Sequence, residues 1–201
     1  MKIDLERYGN NTPIGKNDSK HQILLSHSSR NAESFLASMR HRFNGKFDRQ
    51  PNYFIKKDGI IIKLLEDNEY SNLLPGISEK AIVVCLENLG WLEKQSLKNY
   101  YVNWIGDIYN NKPFERKWRD YYFWDSYTDE QLNSLAQLCN HLFSVMGIEE
   151  NVIGHNTKII GADKYKGVIC KSNYDSEYTD LSPAFDFDKF SNKLHNEQFS
   201  R

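Results

Sequence analysis

The chain has 201 residues, with 26 lysines and arginines against 27 aspartates and glutamates, so its formal net charge is −1. This length suits one domain that folds without disulfides or a structural metal. The near-zero charge disfavours a strongly basic nucleic-acid-binding protein, and the 13% aromatic content disfavours a disordered chain. Residues 1–20 are polar and lack periodicity, which predicts an N-terminal arm preceding a single domain at 21–198.

The chain also lacks the sequence features of secretion and membrane insertion. Its N-terminus has no apolar stretch typical of a signal peptide, and no run approaches the ~20 apolar residues of a membrane helix. Cys85, Cys139 and Cys170 show no paired spacing, which favours a reducing compartment at synthesis. We therefore expect a protein made in the cytoplasm, without an integral membrane segment, that needs separate release to act outside.

The first half of the domain is predicted to contain a strand, a helix, a hairpin and a second strand. The apolar run at Gln22–Ser26 predicts a buried strand. A helix follows, capped by Asn31 or Ser29 and ending at Asn44-Gly45, and its apolar residues at helical spacing are Phe35, Leu36, Met39 and Phe43. Two apolar runs flank Lys57-Asp58-Gly59, a pattern typical of a β-hairpin. The β-branched run Ala81–Glu87 predicts a central strand.

The second half is predicted to contain two helices with a short strand between them. Thr128 and Gln131 form a capping-box pattern before an apolar stripe that ends at Gly147. Val152-Ile153 predicts a short strand, and Ser182-Pro183 predicts the start of the last helix. The order β-α-β-β-β-α-β-α indicates an α/β domain with a mixed central sheet flanked by helices.

Two of the six histidines follow directly on predicted strands. His27 comes after ILLS and His155 after VIG, so both are expected at the edge of a sheet, where functional sites form. The spacing alone leaves two interpretations open: a pair of metal ligands, or two histidines whose hydrogen bonds are satisfied in the core.

A resemblance to a known family favours the first interpretation. The segment YTDLSPAFDF at 178–187 resembles the K-T-D-P-G-P-A-F-D-W stretch of zinc-dependent N-acetylmuramoyl-L-alanine amidases. That family includes phage lysozyme-like amidases, cytoplasmic anhydromuropeptide amidases and the peptidoglycan-recognition proteins. Further segments resemble family motifs in the family's order: LLSHSS, NYFIKKDGIIIKL, AIVVCLEN, YTDEQLNSLAQL and VIGH. The resemblance covers roughly 21–190 and implies the amidase fold.

The same resemblance implies a zinc site and a reaction. Its ligands would be His27, His155 and Asp180. Two imidazoles and one carboxylate leave a fourth position for water, which is typical of a catalytic zinc ion. Zinc lowers the pKa of that water towards ~7 and polarises a carbonyl, which suits amide hydrolysis. The bond cleaved would join N-acetylmuramic acid to L-alanine in peptidoglycan.

The residues around this zinc site depart from the family pattern. Pro51, Cys85 and Tyr178 stand where family members carry a tyrosine, a glutamate and a lysine. Glu87, on the same strand face as Cys85, is either the group that handles the proton or an exposed strand-end carboxylate. Tyr178 is either a hydrogen-bond donor to the oxyanion or a surface aromatic.

Two further residues are predicted to contact substrate. Lys171 lies in the long connection between His155 and Asp180, which we expect to border the site as a lid or as a solvated excursion. Asn52 occupies a His/Asn position of the family, where it either contacts substrate or holds the hairpin.

An aromatic-rich insertion occupies residues 91–127. It contains 12 of the 27 aromatic residues and all four tryptophans. Aromatic faces suit stacking on sugars, so Trp91, Trp104 and Trp124 are predicted substrate contacts. The alternative is a small satellite core.

These features favour a phage or prophage endolysin that reaches the wall through a separately made pore. A cytoplasmic muropeptide-recycling amidase and a non-catalytic peptidoglycan-binding module with a retained zinc site are the alternatives. In each case the expected partner is peptidoglycan or a muropeptide, and nucleic acid is not expected.

Overall fold

The computed structural model describes residues 3–5, 13–45, 47–95 and 99–198. Residues 1, 2 and 6–12 of the predicted N-terminal arm lie outside the described residues. Within the arm, Ile3–Leu5 forms an edge strand parallel to Ile61–Lys63, and Gly15–Lys16 pairs with Glu69–Tyr70.

In the part of the chain that the structure describes, the strands form three sheets. The central sheet has six strands in the order β1-β5-β4-β7-β3-β13: β1 (Ile3–Leu5), β3 (Gln22–His27), β4 (Tyr53–Ile55), β5 (Ile61–Lys63), β7 (Ala81–Leu86) and β13 (Gly167–Cys170). An accessory sheet has the order β10-β9-β8-β12-β11: β8 (Trp91–Lys94), β9 (Tyr101–Val102), β10 (Ile108–Tyr109), β11 (Phe114–Trp118) and β12 (Tyr121–Trp124). A ribbon pairs β2 (Gly15–Lys16) with β6 (Glu69–Tyr70).

Among the described residues, three α-helices accompany these sheets: α1 (Ala32–His41), α2 (Asp129–Met146) and α3 (Phe187–Gln198). Asn31 caps α1 by accepting a hydrogen bond from the Ser34 backbone N–H at 2.8 Å. Thr128 and Gln131 form the predicted capping box of α2, and Gly147 ends this helix in the left-handed conformation. The sequence therefore predicted the caps that begin both helices.

The central sheet is covered on both faces. Alternate side chains of β3 point to opposite faces of the sheet. Ile23 and Leu25 pack against α2 and α3, whereas Leu24 packs on the other face. On that opposite side, Met39 of α1 packs with Phe54 and Cys85. This arrangement confirms the predicted α/β fold with a mixed sheet flanked by helices.

Two expectations about the elements were wrong, and one strand was not predicted. The last helix begins at Phe187 instead of Ser182-Pro183, because residues 182–185 form a turn closed by the Phe185 N–H on the Ser182 carbonyl. Phe43 lies beyond α1 and is 68% exposed, so it does not pack with the helix. The pattern also missed β13, whose GVIC run is too short to show a period.

Among the described residues, no helix is both long enough and apolar enough to cross a membrane.

Candidate active site at the carboxyl edge of the central sheet

Four parallel strands of the central sheet end at one edge. β4, β7, β3 and β13 run in the same direction, so the residues at or just beyond their carboxyl ends are neighbours: Lys57, Glu87, His27 and Lys171. Side chains at this edge are held by a rigid sheet, which is where α/β domains commonly place ligands.

His27, the last residue of β3, is buried at this edge. Its Nδ1 lies 3.0 Å from the Tyr127 hydroxyl, and its backbone N–H points at Asp180 Oδ2 over 3.4 Å. Burial, together with the charges of Lys171 and Lys57, lowers the pKa of His27 to about 4, against the opposing pull of Asp180. The imidazole is therefore neutral at pH 7 and keeps a lone pair for a metal or a proton.

Asp180 is buried beside His27 and pairs with a cation. Its Oδ1 lies 3.5 Å from the Lys171 Nζ, and the same ammonium lies 4.3 Å from the centre of the Tyr178 ring. The Ser172 N–H donates to the Asp180 carbonyl at 2.7 Å, which anchors the Asp180 loop to the end of β13. The structure thus gathers four predicted site residues: His27, Asp180, Lys171 and Tyr178.

His155 lies near this group through its backbone, while its ring is exposed. Its carbonyl accepts a hydrogen bond from Asn173 Nδ2 at 2.9 Å, and the next residue, Asn156, donates to the Leu181 carbonyl at 3.0 Å. Its ring Nδ1 lies 2.9 Å from the Thr157 hydroxyl. The segment carrying His155 therefore packs beside Asp180, but its imidazole is bonded to Thr157 at the surface.

These residues fit a zinc ion in their chemistry. His27 offers a neutral imidazole, and Asp180 offers a buried carboxylate. The Lys171 ammonium already balances the charge of that carboxylate. Across residues 3–5, 13–45, 47–95 and 99–198, no three histidine, cysteine, aspartate or glutamate side chains already lie in metal-binding positions. Metal binding therefore requires a third side chain to turn towards His27 and Asp180.

Glu87 lies at this edge with both carboxylate oxygens engaged. Oε1 accepts from the Ala32 N–H at 2.8 Å, at the first residue of α1, and Oε2 accepts from the Lys57 N–H at 2.9 Å. The carboxylate thus joins the amino end of α1 to the β4–β5 hairpin. Its predicted role in proton transfer stays a prediction, and these two bonds favour a structural role.

Asn52 is buried away from the surface. Its side-chain nitrogen donates to the carbonyls of Glu66 and Glu69, and its oxygen accepts from the Val83 N–H at 3.0 Å. All three of these hydrogen bonds join the Asn52 side chain to backbone groups. These contacts favour the second of the two roles considered for Asn52, holding the hairpin, while its contact with substrate stays a prediction.

The three predicted tryptophan contacts have different surroundings in the accessory sheet. Trp104 is 54% exposed, and its Nε1 donates to the Ser29 carbonyl at 3.0 Å, two residues beyond His27. Trp91 is half-buried and stacks on Tyr121 at 4.4 Å between ring centres. Trp124 is completely buried, and its Nε1 donates to the Arg116 carbonyl. The expectation that Trp124 contacts substrate does not fit this burial, because a ring with no exposed surface packs the satellite core.

Sequence reasoning missed two residues at the site. Tyr127 belongs to the capping motif of α2, yet its hydroxyl contacts His27. Arg119, in the β11–β12 turn, donates to the Tyr178 carbonyl, and its guanidinium lies 4.1 Å from the centre of the Trp118 ring. Nothing in the local pattern connects residue 119 to residue 178; only the fold of the insertion brings them together.

A cleft of about 430 Å³ opens beside Tyr127. Its lining includes Lys57, Glu87, Leu89, Tyr109 and Tyr127. Tyr127 connects this cleft with the candidate site, because its hydroxyl contacts His27, which does not itself line the cleft. Its size is within the range of small-molecule sites.

The family model for N-acetylmuramoyl-L-alanine amidase matches residues 17–167. No curated protein matches the chain significantly.

Solved structures share the fold at low sequence identity. N-acetylmuramoyl-L-alanine amidase LysC from Clostridium intestinale is 17% identical, with a TM-score of 0.60 over 97% of this chain and 98% of that chain. Endolysin amidase LysCS from the same organism is also 17% identical, with a TM-score of 0.60 over 96% and 95%. The Staphylococcus aureus hydrolase AmiA is 10% identical, with a TM-score of 0.54 over 99% and 86%.

Proposed function

Because this chain belongs to the N-acetylmuramoyl-L-alanine amidase family, we propose that it hydrolyses the amide between N-acetylmuramic acid and L-alanine in peptidoglycan in a zinc-dependent reaction. The observation that carries the proposal is the contact of the His27 backbone N–H with the Asp180 carboxylate at 3.4 Å, which sets two buried residues with zinc-binding side chains next to each other at the carboxyl edge of the sheet. In our proposal these two residues hold the zinc ion together with a third donor, for which the sequence resemblance implies His155.

Bound zinc would supply Lewis-acid polarisation of the scissile carbonyl and an activated water. The residues of the chain do the rest. The Lys171 ammonium, between Asp180 and the Tyr178 ring, is the cation available to stabilise negative charge that develops on the substrate carbonyl oxygen. The Tyr127 hydroxyl contacts Nδ1 of His27 and so orients the imidazole.

Substrate would lie along the exposed aromatic residues of the accessory sheet and extend towards the cleft beside Tyr127. Trp104 offers an exposed ring next to the loop after His27, and the β9–β10 turn that carries it is fixed there by Asn31, which donates to Asp107. Exposed indole rings of this kind stack on sugars. A wall polymer, rather than a small fragment alone, makes use of this surface.

A phage or prophage endolysin is the biological role that we favour within this proposal. The fold similarity to LysC and LysCS, named as an amidase and an endolysin amidase, supports it. In this role the protein acts on the cell wall after release from the cell that makes it.

Two observations favour a second candidate, a domain that binds peptidoglycan without cleaving it. The Lys171 ammonium already neutralises Asp180, and Pro51, Cys85 and Tyr178 replace residues with which the family assists hydrolysis. In that case the accessory sheet would bind the polymer while the edge of the central sheet performed no chemistry.

One experiment separates the two candidates. Purified peptidoglycan is incubated with the protein, and new N-terminal L-alanine is measured alongside the zinc content. We expect alanine release that a chelator abolishes, and loss of both zinc and activity in Asp180→Ala but not in Asp175→Ala, a control in the same loop. Wall binding without alanine release, across pH and wall types, would establish the second candidate instead.

A further inference from the structure

The order of strands at the carboxyl edge raises the question of which residue is the third zinc donor. β13 pairs in parallel with β3, with Gly167–Cys170 opposite Gln22–Leu25. Val152, in the segment before His155, bridges to Val168 on the outer side of β13. The strand that ends beside His27 is therefore β13, and the segment leading to His155 lies one position further out.

The register puts Cys170 on the same face of the sheet as His27. Cys170 is the partner of Leu25, and partners in a parallel pair project to the same side. Leu25 and His27 are two residues apart on β3, so their side chains also share a face. The packing agrees, since Cys170 and Leu25 belong to one core cluster.

The surroundings of Cys170 adjoin the Asp180 loop. The Leu181 backbone N–H lies within hydrogen-bonding reach of the Cys170 sulfur, and Leu181 directly follows Asp180. The Cys170 side chain is 1% exposed, whereas the His155 ring is at the surface and bonded to Thr157. The group of His155 that faces Cys170 is its carbonyl, 3.6 Å from the sulfur.

We propose that Cys170, and not His155, completes the zinc site with His27 and Asp180, so that the ligands are one imidazole, one thiolate and one carboxylate. This inference rests on the proposed zinc dependence and names a different third ligand for it. Cysteine sulfur, histidine nitrogen and carboxylate oxygen all bind zinc, and three protein ligands leave the fourth position for water.

The chemistry of the step is a simple exchange. In the structure the thiol donates to Asn173 Oδ1 at 3.0 Å and contacts the Ser172 hydroxyl at 3.3 Å. On metal binding a sulfur–zinc bond forms, the S–H bond breaks and the proton leaves to solvent.

The backbone needs little rearrangement for this closure. The Ser172 N–H on the Asp180 carbonyl and the His27 N–H facing the Asp180 carboxylate already hold β13, β3 and the Asp180 loop together. In the proposed site the side chains of Cys170 and Asp180 turn towards His27, and the Lys171 ammonium leaves Asp180.

Cobalt substitution tests the inference, because Co²⁺ replaces zinc and reports sulfur ligands as an intense near-ultraviolet charge-transfer band. The full-length protein is stripped with a chelator and reloaded with Co²⁺. We expect the band in the wild type, in His155→Ala and in the two control variants Cys139→Ser and Cys85→Ser. Cys139 is buried in α2 away from the edge, and Cys85 faces the opposite side of the sheet.

In Cys170→Ser the band should disappear, and zinc affinity measured by chelator competition should fall by about 100-fold or more, at least the loss seen when a supporting residue is removed. Circular dichroism checks that this variant folds, and the wild-type spectrum is informative without any variant. Co²⁺ bound without a sulfur band, or a band lost with His155→Ala or Cys85→Ser, overturns the assignment of Cys170. A wild type that binds neither zinc nor Co²⁺ overturns the assignment and the proposed zinc dependence together.

Discussion

Glu87 provides a direct test of whether a carboxylate at the edge of the sheet transfers protons or supports structure. The perturbation is Glu87→Gln, which keeps the size of the side chain and removes its charge. Glutamine can still accept from the Ala32 N–H, but its NH₂ group then faces the Lys57 N–H, so one hydrogen bond is lost. A hydrogen bond to a charged group contributes about 1.5–3 kcal/mol, and the favourable charge at the start of α1 adds about 0.3–1 kcal/mol.

Because Glu87 is half-buried, we take the lower end and expect the free energy of unfolding to fall by about 2 kcal/mol. For a domain of this size that corresponds to a decrease in Tm of roughly 4–8 °C. Urea and thermal unfolding measure the loss, and kcat on purified peptidoglycan, normalised to folded protein, should stay within about threefold of the wild type.

Glu130→Gln on the exposed first turn of α2 is the matched control, and it should leave kcat unchanged and lower the free energy of unfolding by no more than about 0.3–1 kcal/mol, the contribution of a charge at the start of a helix. A proton-transfer role predicts the opposite pattern for Glu87→Gln. General acid–base catalysis contributes about 10²–10⁴-fold, so kcat would fall by at least 100-fold while the Tm stayed close to the wild type. That result would refute the structural reading of the two hydrogen bonds.

Three further predictions concern the insertion and a buried lysine. Arg119→Ala removes the donor to the Tyr178 carbonyl and should lower zinc affinity about tenfold. Arg119→Lys should recover part of that affinity. Equal affinities in wild type and Arg119→Ala would show that the contact does not support the Asp180 loop. Trp124→Ala should destabilise the protein by about 3–5 kcal/mol, whereas Trp104→Ala should weaken sedimentation with insoluble peptidoglycan at nearly unchanged Tm; the reverse pattern would contradict the assignment of core and surface roles. Burial lowers the pKa of Lys20 to about 8. Between pH 8 and 10.5 the unfolded chain therefore binds more protons than the folded protein, and Lys20 makes the free energy of unfolding rise with pH. Lys20→Met should abolish this rise, and a free-energy difference between pH 7 and 10 that is the same in Lys20→Met and wild type would contradict the prediction.

Local sequence signals predicted the parts of the fold that depend on local chemistry. Asn31 and the Thr128–Gln131 pair cap their helices as expected, because side-chain oxygens near free backbone N–H groups act over a few residues. The hairpin at Lys57-Asp58-Gly59 follows from the same kind of short-range preference, and Gly59 adopts the required positive φ of 82°.

The parts that were missed depend on contacts between distant residues. β13 is recognisable only from its parallel pairing with β3, about 145 residues earlier in the chain, and no local period marks four apolar residues as a strand. The accessory sheet was predicted only as an aromatic insertion, because its strands are two to five residues long. Burial then divided its tryptophans into a core residue, Trp124, and an exposed one, Trp104.

The ligand assignment shows the same limit more sharply. A histidine after a short apolar run, as at VIG-His155, is a stronger sequence signal than a cysteine in VICK, so the pattern favours His155. Which of the two segments lies beside His27 is decided by strand order, and β13 occupies that position. The type of residue identified the chemistry, while the topology selects the residue.

The accessory sheet also contacts both segments that carry the proposed ligands. At one end, Asn103 and Trp104 donate to the carbonyl of Ser29, shortly after His27. At the other end, Arg119 donates to the carbonyl of Tyr178, shortly before Asp180. An insertion that served only to bind the polymer would need neither contact. Because these bonds fix the backbone on both sides of the site, changes in the insertion should alter metal affinity as well as wall binding. Arg119→Ala should affect metal affinity, whereas Trp104→Ala removes both the exposed ring and the bond to Ser29 and should affect metal affinity and wall binding together.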